Sequence, residues 1–248
     1  MSNWIEGKIV SQKEWGPGLF SLYVAATIEP FIAGQFTQLC LDPENPRFFR
    51  PYSYASTPGE EHCEFYYNVV KEGKFTPLLN ALASGDPLWI AKRSSGRFIM
   101  SEVPSSDTLW MFATGTGLGV FLSLLKTAEP WERFKNIVLV HSVRNAHGLT
   151  HHALIQSWQE KYPLQFQFVP VVTGEKLPNI FSQRIPNLLE DGELEGATQL
   201  SLTPLTSQVM MCGNPAMIKS VSDHLHTRGL LNNRPRQPGH ITTENYWK

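Results

Sequence analysis

Leu109-Trp110-Met111-Phe112-Ala113-Thr114-Gly115-Thr116-Gly117-Leu118-Gly119 runs from an unbroken apolar stretch into three glycines within five residues, and Phe121, Leu122, Leu124 and Leu125 follow at helical spacing. An apolar run that breaks at a glycine turn and re-emerges as a helix is how a buried parallel strand hands over to its crossover. Ile137 to Val140, Phe166 to Val172 and Val209 to Cys212 are three more such runs. Helical patterns lie between them, at about His151 to Lys161, Ser182 to Glu190 and Pro215 to His226. Strands alternating with helices predict an α/β domain built on a parallel sheet covered on both faces.

Upstream the pattern changes. Trp4 to Trp15 and Leu19 to Ala26 flank Gly16-Pro17-Gly18 and predict a hairpin. Gly34 to Leu39, the Arg50 segment, His62 to Lys71 and Asp86 to Arg93 read as further short strands, and Phe75 to Ala83 as a helix. Short strands punctuated by turns predict a closed antiparallel β-barrel. The boundary falls near residues 100 to 105, giving domains 1–101 and 102–248. No internal repeat or low-complexity segment interrupts them.

With 21 basic and 22 acidic residues the chain is nearly neutral, which argues against a general nucleic-acid binder. Cys40, Cys63 and Cys212 are too few and too scattered for a disulfide framework, a zinc site or an iron–sulfur cluster, so no metal is expected. The first thirty residues carry no apolar signal core and no run reaches membrane-span length, so a cytoplasmic protein without membrane insertion is expected.

Two stretches carry chemistry. Arg50-Pro51-Tyr52-Ser53 sets a guanidinium, a flat aromatic and a hydroxyl on one strand. Arg can fork onto a pyrophosphate, Tyr can lie on an isoalloxazine ring, and Ser can hydrogen-bond its edge. The same residues also suit an ordinary half-buried strand. The Gly115-Thr116-Gly117 loop offers backbone N–H groups and a helix N-terminus to a diphosphate. It departs from Gly-x-Gly-x-x-Gly because position 120 is Val, and a tight turn without ligand is the alternative. At the end of the next strand, Ser142-Val143-Arg144 offers a cation where a site preferring NAD carries a carboxylate. That favours a 2′-phosphate, unless Arg144 is merely a surface residue.

A barrel with Arg50-x-Tyr52-Ser53, followed by an α/β domain that opens with Gly115-Thr116-Gly117 and ends near Cys212-Gly213-Asn214-Pro215, resembles the ferredoxin–NADP reductase family, in particular its bacterial flavodoxin-reductase branch. The resemblance covers essentially the whole chain. It implies an FAD-binding barrel followed by an NADP-binding α/β domain whose C-terminal tail returns to the flavin. The implied activity is exchange of a hydride with NADP(H) and of single electrons with ferredoxin or flavodoxin, in a monomeric oxidoreductase.

By the same resemblance Arg50 and Pro51 lie at the FAD pyrophosphate, Tyr52 stacks on the ring and Ser53 sits beside its N5. Tyr66 meets the ribityl or adenosine portion. Lys74, Phe75 and Thr76, after Gly73, form a second phosphate-holding loop, with the Thr76 hydroxyl opening the helix. Thr116 touches both cofactors. Arg144, Thr173 and Arg184 surround the 2′-phosphate, although Gly174 stands where relatives commonly carry Arg; Lys176 is a candidate substitute. Ser53, Cys212, Glu244 and Tyr246 are the implied catalytic-site residues, Tyr246 covering the flavin and Trp247 its adenine. Lys92, Arg93 and Arg97 are candidates for meeting an acidic carrier. A flavin reductase, an electron-transfer component of a larger oxygenase or dehydrogenase, and a non-catalytic nucleotide sensor are the alternatives.

Overall fold

The computed structural model describes residues 3–45 and 48–245. Its contacts divide the chain into two units: the chain up to Ile99 together with Gly119–Thr127, and Met100–Leu118 together with the chain from Ala128 onward.

In the first unit, β1 (Trp4–Gly16), β2 (Leu19–Ala25), β3 (Phe36–Cys40), β4 (Phe49–Ser53), β5 (Cys63–Asn68) and β6 (Pro87–Ala91) form one antiparallel sheet in the order β4-β3-β6-β1-β2-β5. The hairpin β1–β2 turns at Gly18, whose φ of 75° suits glycine. Its two outer edges meet just beyond β4, where Ala55 N donates to Glu64 O (2.8 Å) and Glu64 N to Ser56 Oγ (3.0 Å). That closure makes the sheet a barrel and removes its exposed edges. Tyr54 stacks on Phe31 at 3.9 Å inside it, among Leu22, Leu39, Phe65 and Ile90.

The barrel carries two helices. A short α1 (Thr76–Asn80) follows β5, and α2 (Leu118–Leu125) places its residues from Gly119 onward against the barrel. Every residue of α2 is buried, as expected of a helix that is apolar all round. Gly119 permits the approach, because a Cβ there would stand 3.3 Å from the Cβ of Tyr66. Ser123 Oγ donates to Ser56 O (2.6 Å), and Lys126 Nζ reaches Ala55 O (3.0 Å) and the Glu64 carboxylate (3.4 Å). Glu64 is buried, and this pairing together with the Ser21 (2.7 Å) and Tyr23 (3.3 Å) hydroxyls offsets the cost of burying its carboxylate.

The second unit holds β7 (Thr108–Thr114), α3 (Glu129–Arg133), β8 (Asn136–Val143), α4 (His152–Lys161), β9 (Phe166–Val172), α5 (Ile185–Glu190), α6 (Glu193–Thr198), β10 (Ser207–Gly213), α7 (Pro215–Thr227) and β11 (Ile241–Asn245). Its five strands are all parallel, ordered β11-β10-β7-β8-β9. From β7 the chain winds outward to β9, then returns to lay β10 on the other side of β7. Strand order therefore reverses between β7 and β10, and ligands of open α/β sheets bind outside the strand ends at such a point. Trp110, Phe112, Val138, Val140 and Val171 present one face of the sheet to Leu188, Leu189, Val221 and Leu225 of α5 and α7.

Besides α3 and α6, which the sequence reading did not anticipate, three elements differ from it. The helix expected over 75–83 is only Thr76–Asn80. The one expected from Ser182 starts at Ile185, because Arg184 is extended and Pro186 occupies the first turn, where its missing N–H costs nothing. Ile241–Asn245, to which the sequence reading assigned no element, is a fifth parallel strand on β10.

Candidate functional site

On the barrel, the alternation of β4 sends Arg50 and Tyr52 to one face and Pro51 and Ser53 to the other. Tyr52 is half-buried, with its ring braced by Phe75 (5.9 Å), Tyr67 (6.4 Å) and Phe65 (6.5 Å). Burial pushes its phenol well above the ordinary range, so the ring stays neutral; Arg50 opposes that shift only in part. The bracing residues are themselves fixed, since Tyr67 Oη donates to Gln12 Oε1 (2.5 Å) and Gln12 Nε2 to Leu82 O (2.7 Å). A flat aromatic held this way is a preformed surface for a ring system.

Arg50 is exposed, and its Nη1 donates to the adjacent Phe49 carbonyl (2.7 Å). The 70–76 loop supplies a second cation, Lys74, also exposed. Gly73 N bonds Val70 O (2.8 Å) and Thr76 Oγ1 accepts from Val70 N (2.8 Å), which closes the loop on itself. The Thr76 hydroxyl therefore braces the loop; it does not cap α1, whose N-cap is Phe75. Phe75 itself is buried beside Tyr52. Ser53 and Tyr66 are buried too, Tyr66 beneath Gly119.

In the second unit the site is made of backbone. Thr114 ends β7, and Gly115 turns the chain with a φ of 53°. Gly117 lies directly on the end of β10, because a Cβ there would come within 2.5 Å of Cys212 O. Gly213, at φ 132°, lies against Thr114 so closely that any Cβ would collide with the Thr114 hydroxyl. That hydroxyl accepts from Asn214 N (2.7 Å), while the Asn214 side chain accepts from Ala216 N (2.8 Å) and caps α7. The ends of β7 and β10 are thus latched together at the switch point, with Thr116 between them on the half-exposed surface. Cys212 is fully buried and pairs in register with Glu244 of β11.

Along the same carboxyl edge, Thr173 N donates to Val143 O (2.9 Å) and Gly174 N to Arg144 O (2.7 Å). Arg144 and Thr173 therefore share one rim. A Cβ at position 174 would come within 2.5 Å of Arg144 O, so glycine is what lets the two strand ends approach. Arg184 sits at the head of α5, three residues after Phe181, whose carbonyl accepts from Val172 N (2.8 Å).

Arg50, Lys74, Arg144 and Arg184 are all exposed and form no ion pair among the described residues. Arg228, by contrast, is committed to structure: it forks onto Glu195 with two bonds of 2.8 Å, holding that carboxyl below its ordinary range. Arg93 lies 4.0 Å from Glu29, with both side chains exposed. The donor sets fit the groups they would hold: a guanidinium and an ammonium flank an aromatic on the barrel, and glycine backbone with a cationic rim lines the switch point.

The structure thus brings Arg50, Tyr52, Phe75 and the Lys74 loop into one neighbourhood, and Gly115, Thr116, Gly117, Cys212 and Glu244 into another. Tyr246 and Trp247 lie outside the described residues. Sequence reasoning missed His141 and Thr114. His141 is fully buried with Nε2 2.9 Å from Gly115 O, and its only sequence signal is a polar residue interrupting an apolar strand. Among the described residues no cluster of three or more His, Cys, Asp or Glu could hold a metal, and no helix is long and apolar enough to cross a membrane.

Residues 111–223 match the family model of the oxidoreductase NAD-binding domain. The whole chain aligns with the whole of the flavodoxin/ferredoxin–NADP reductase of Escherichia coli (strain K12) at 41% identity. The ferredoxin–NADP reductase of Azotobacter vinelandii is 31% identical over 98% of each chain. Among solved structures, a ferredoxin NADP+ reductase from Neisseria gonorrhoeae with bound FAD and NADP superposes with a TM-score of 0.93, at 30% identity and full coverage of both chains.

Proposed function

The chain belongs to the flavodoxin/ferredoxin–NADP reductase family, and from that premise we propose that it is an FAD-dependent reductase exchanging electrons between NADP(H) and a ferredoxin or flavodoxin. The observation that carries the reading is the latched switch point, where Gly117 rests on the Cys212 carbonyl and leaves no volume for a side chain. Such an approach sets the tight turn against β10, with exposed Gly115 and half-exposed Thr116 at its outer side where a pyrophosphate would lie. When bound, FAD and NADP(H) supply the two-electron and one-electron chemistry; the protein binds, orients and tunes them.

Residues 1–101 would form the FAD-binding domain and 102–248 the NADP-binding domain. On the barrel, Arg50, beside Pro51, and the Lys74–Thr76 loop would neutralise the FAD diphosphate, Tyr52 would lie against the ring, and Ser53 would hydrogen-bond its edge. Tyr66 would line the ribityl or adenosine portion. In the second unit Gly115, Thr116 and Gly117 would meet the NADP pyrophosphate, and Arg144, Thr173 and Arg184 the 2′-phosphate. Cys212 and Glu244, side by side across β10 and β11, would position the nicotinamide. Tyr246 and Trp247 would cover the flavin ring and its adenine. The carrier would be acidic and steered by cations beside the flavin, with Lys92, Arg93 and Arg97 as the candidates.

The test is anaerobic and spectral. Purified protein should show FAD absorption bands that bleach on adding NADPH and return on adding oxidised flavodoxin or ferredoxin. Protein that cannot be loaded with FAD, or loaded protein that NADPH does not bleach, overturns the proposal.

A further inference from the structure

The imidazole of His141 sits in the middle of the second unit with no exposure, yet only one of its nitrogens has a partner. Nε2 lies 2.9 Å from Gly115 O, and Nδ1 has no hydrogen-bond partner among the described residues. A carbonyl only accepts, so Nε2 carries the proton and Nδ1 is a buried bare lone pair. Burial, with smaller contributions from His151 and His152, lowers the imidazole pKa to about 4, which keeps the ring neutral. The ring's place in the fold is set by what Nε2 holds.

What it holds is the first peptide of the glycine loop. The Gly115 carbonyl also accepts from Leu118 N, so both of its lone-pair directions are occupied, one by the turn and one by His141. His141 lies in register opposite Ala113, two residues before Gly115, which sets the ring at the height of the turn. Gly117 is fixed from the other side by β10, and Thr114 by Asn214 N. The turn is therefore held at Thr114, Gly115 and Gly117, and His141 is the clamp that a β8 side chain supplies.

We propose that His141 is a positioning residue for the dinucleotide pyrophosphate: its Nε2–H fixes the Gly115 peptide, and through it the orientation of the Thr116 and Gly117 N–H groups. The inference rests on the reading of the switch point as the NADP site. It assigns His141 no contact with the substrate and no proton transfer.

The test compares His141→Leu, which keeps bulk and removes the donor, with His141→Gln, whose amide N–H can reach the same carbonyl, and His141→Asn, whose amide is too short. Two ligands are titrated into the FAD-loaded protein: NADP+, and 2′-AMP, which has the ribose phosphate but no pyrophosphate. His141→Leu and His141→Asn should weaken NADP+ about tenfold, in line with loss of one buried hydrogen bond. Both should leave 2′-AMP within about twofold, and His141→Gln should recover most of the NADP+ affinity. Turnover at saturating NADPH should change less than KM. Unchanged NADP+ affinity, equal weakening of both ligands, or no rescue by Gln overturns the proposal. If His141→Leu does not fold, His141→Asn decides, and so does the wild-type protein: 15N spectra should report a neutral ring protonated at Nε2, and the opposite tautomer refutes the clamp. Arg144→Ala separates the two readings, since a failure of the NADP site itself would leave 2′-AMP binding indifferent to that substitution.

Discussion

The barrel surface around Tyr52 and the switch point around Gly117 are built from opposite materials. The first is a set of side chains, Arg50, Tyr52 and Lys74, displayed on a strand and a loop. The second is a turn of backbone that has no side chain at exposed Gly115 or at buried Gly117, held by His141, by the Cys212 carbonyl and by the Thr114–Asn214 bond. The difference teaches where each site is vulnerable. A side-chain site loses function by truncation; a backbone site loses it by addition, or by removal of a support that touches no ligand.

The largest expected effect tests the support. His141 is neutral in the folded protein down to about pH 4, whereas its unfolded counterpart takes a proton near 6.5. Between those values the unfolded chain binds the extra proton, so stability from this residue is complete above about pH 6.5 and falls as pH drops toward 4. The loss is on the order of 3 kcal/mol. Denaturant unfolding from pH 7 to 4 should therefore show a shallower acid decline in His141→Gln than in wild type. Parallel declines would remove the switch point's acid sensitivity from the comparison.

Addition comes next. Gly117→Val must push its side chain into the Cys212 carbonyl, an overpacking worth about 1–3 kcal/mol, or roughly ten- to a hundredfold in NADPH affinity. Bound FAD should stay stoichiometric, because the substitution lies outside the barrel. Loss of flavin along with nucleotide would erase the distinction between the sites. Truncation gives the mirror result: Arg50→Ala should weaken FAD by about tenfold or more, through a lost charge-assisted bond, and leave 2′-AMP affinity unchanged. Arg144→Ala sharpens the picture further. It should raise KM for NADPH by about tenfold while leaving NADH nearly untouched, and equal effects on both nucleotides would displace the 2′-phosphate site. The smallest effect is on the carrier: reduction of flavodoxin should slow a few-fold as salt rises from low to physiological, while NADPH oxidation by a small neutral acceptor stays constant.

The two sites were unequally legible in the sequence. Strand β4 and the turn after β7 could be read because each concentrates its signal within a few residues: Arg-x-Tyr-Ser in one, three glycines after an apolar run in the other. His141 could not, since nothing in a linear sequence says that residue 141 lies at the height of residue 115; the parallel register does. Gly174 read as a missing cation, and the structure adds the reason a side chain is unwelcome there, the Arg144 carbonyl. β11 escaped for a different cause. Ile241-Thr242-Thr243 has the β-branched run of a strand, but three residues without flanking periodicity are too short to declare one. Thr76 shows the limit of capping rules: the hydroxyl at a helix start was expected to open the helix and instead ties back to Val70.

The path of α2 bears on how the protein is made. The barrel unit needs Gly119–Thr127, which the ribosome delivers only after the first strand of the second unit. A nascent chain ending near residue 100 has all six barrel strands but lacks the helix that covers Tyr66 and brings Lys126 to the buried Glu64. Conversely, a fragment starting at Met100 would lose the first-unit partners of α2, among them Phe98, packed edge-on against Phe121, and Gly34, beside Leu124. Neither half is a self-sufficient product of a single cut. The chain has to fold the first unit around a segment borrowed from the middle of the second, so synthesis must pass residue 127 before the barrel can be finished.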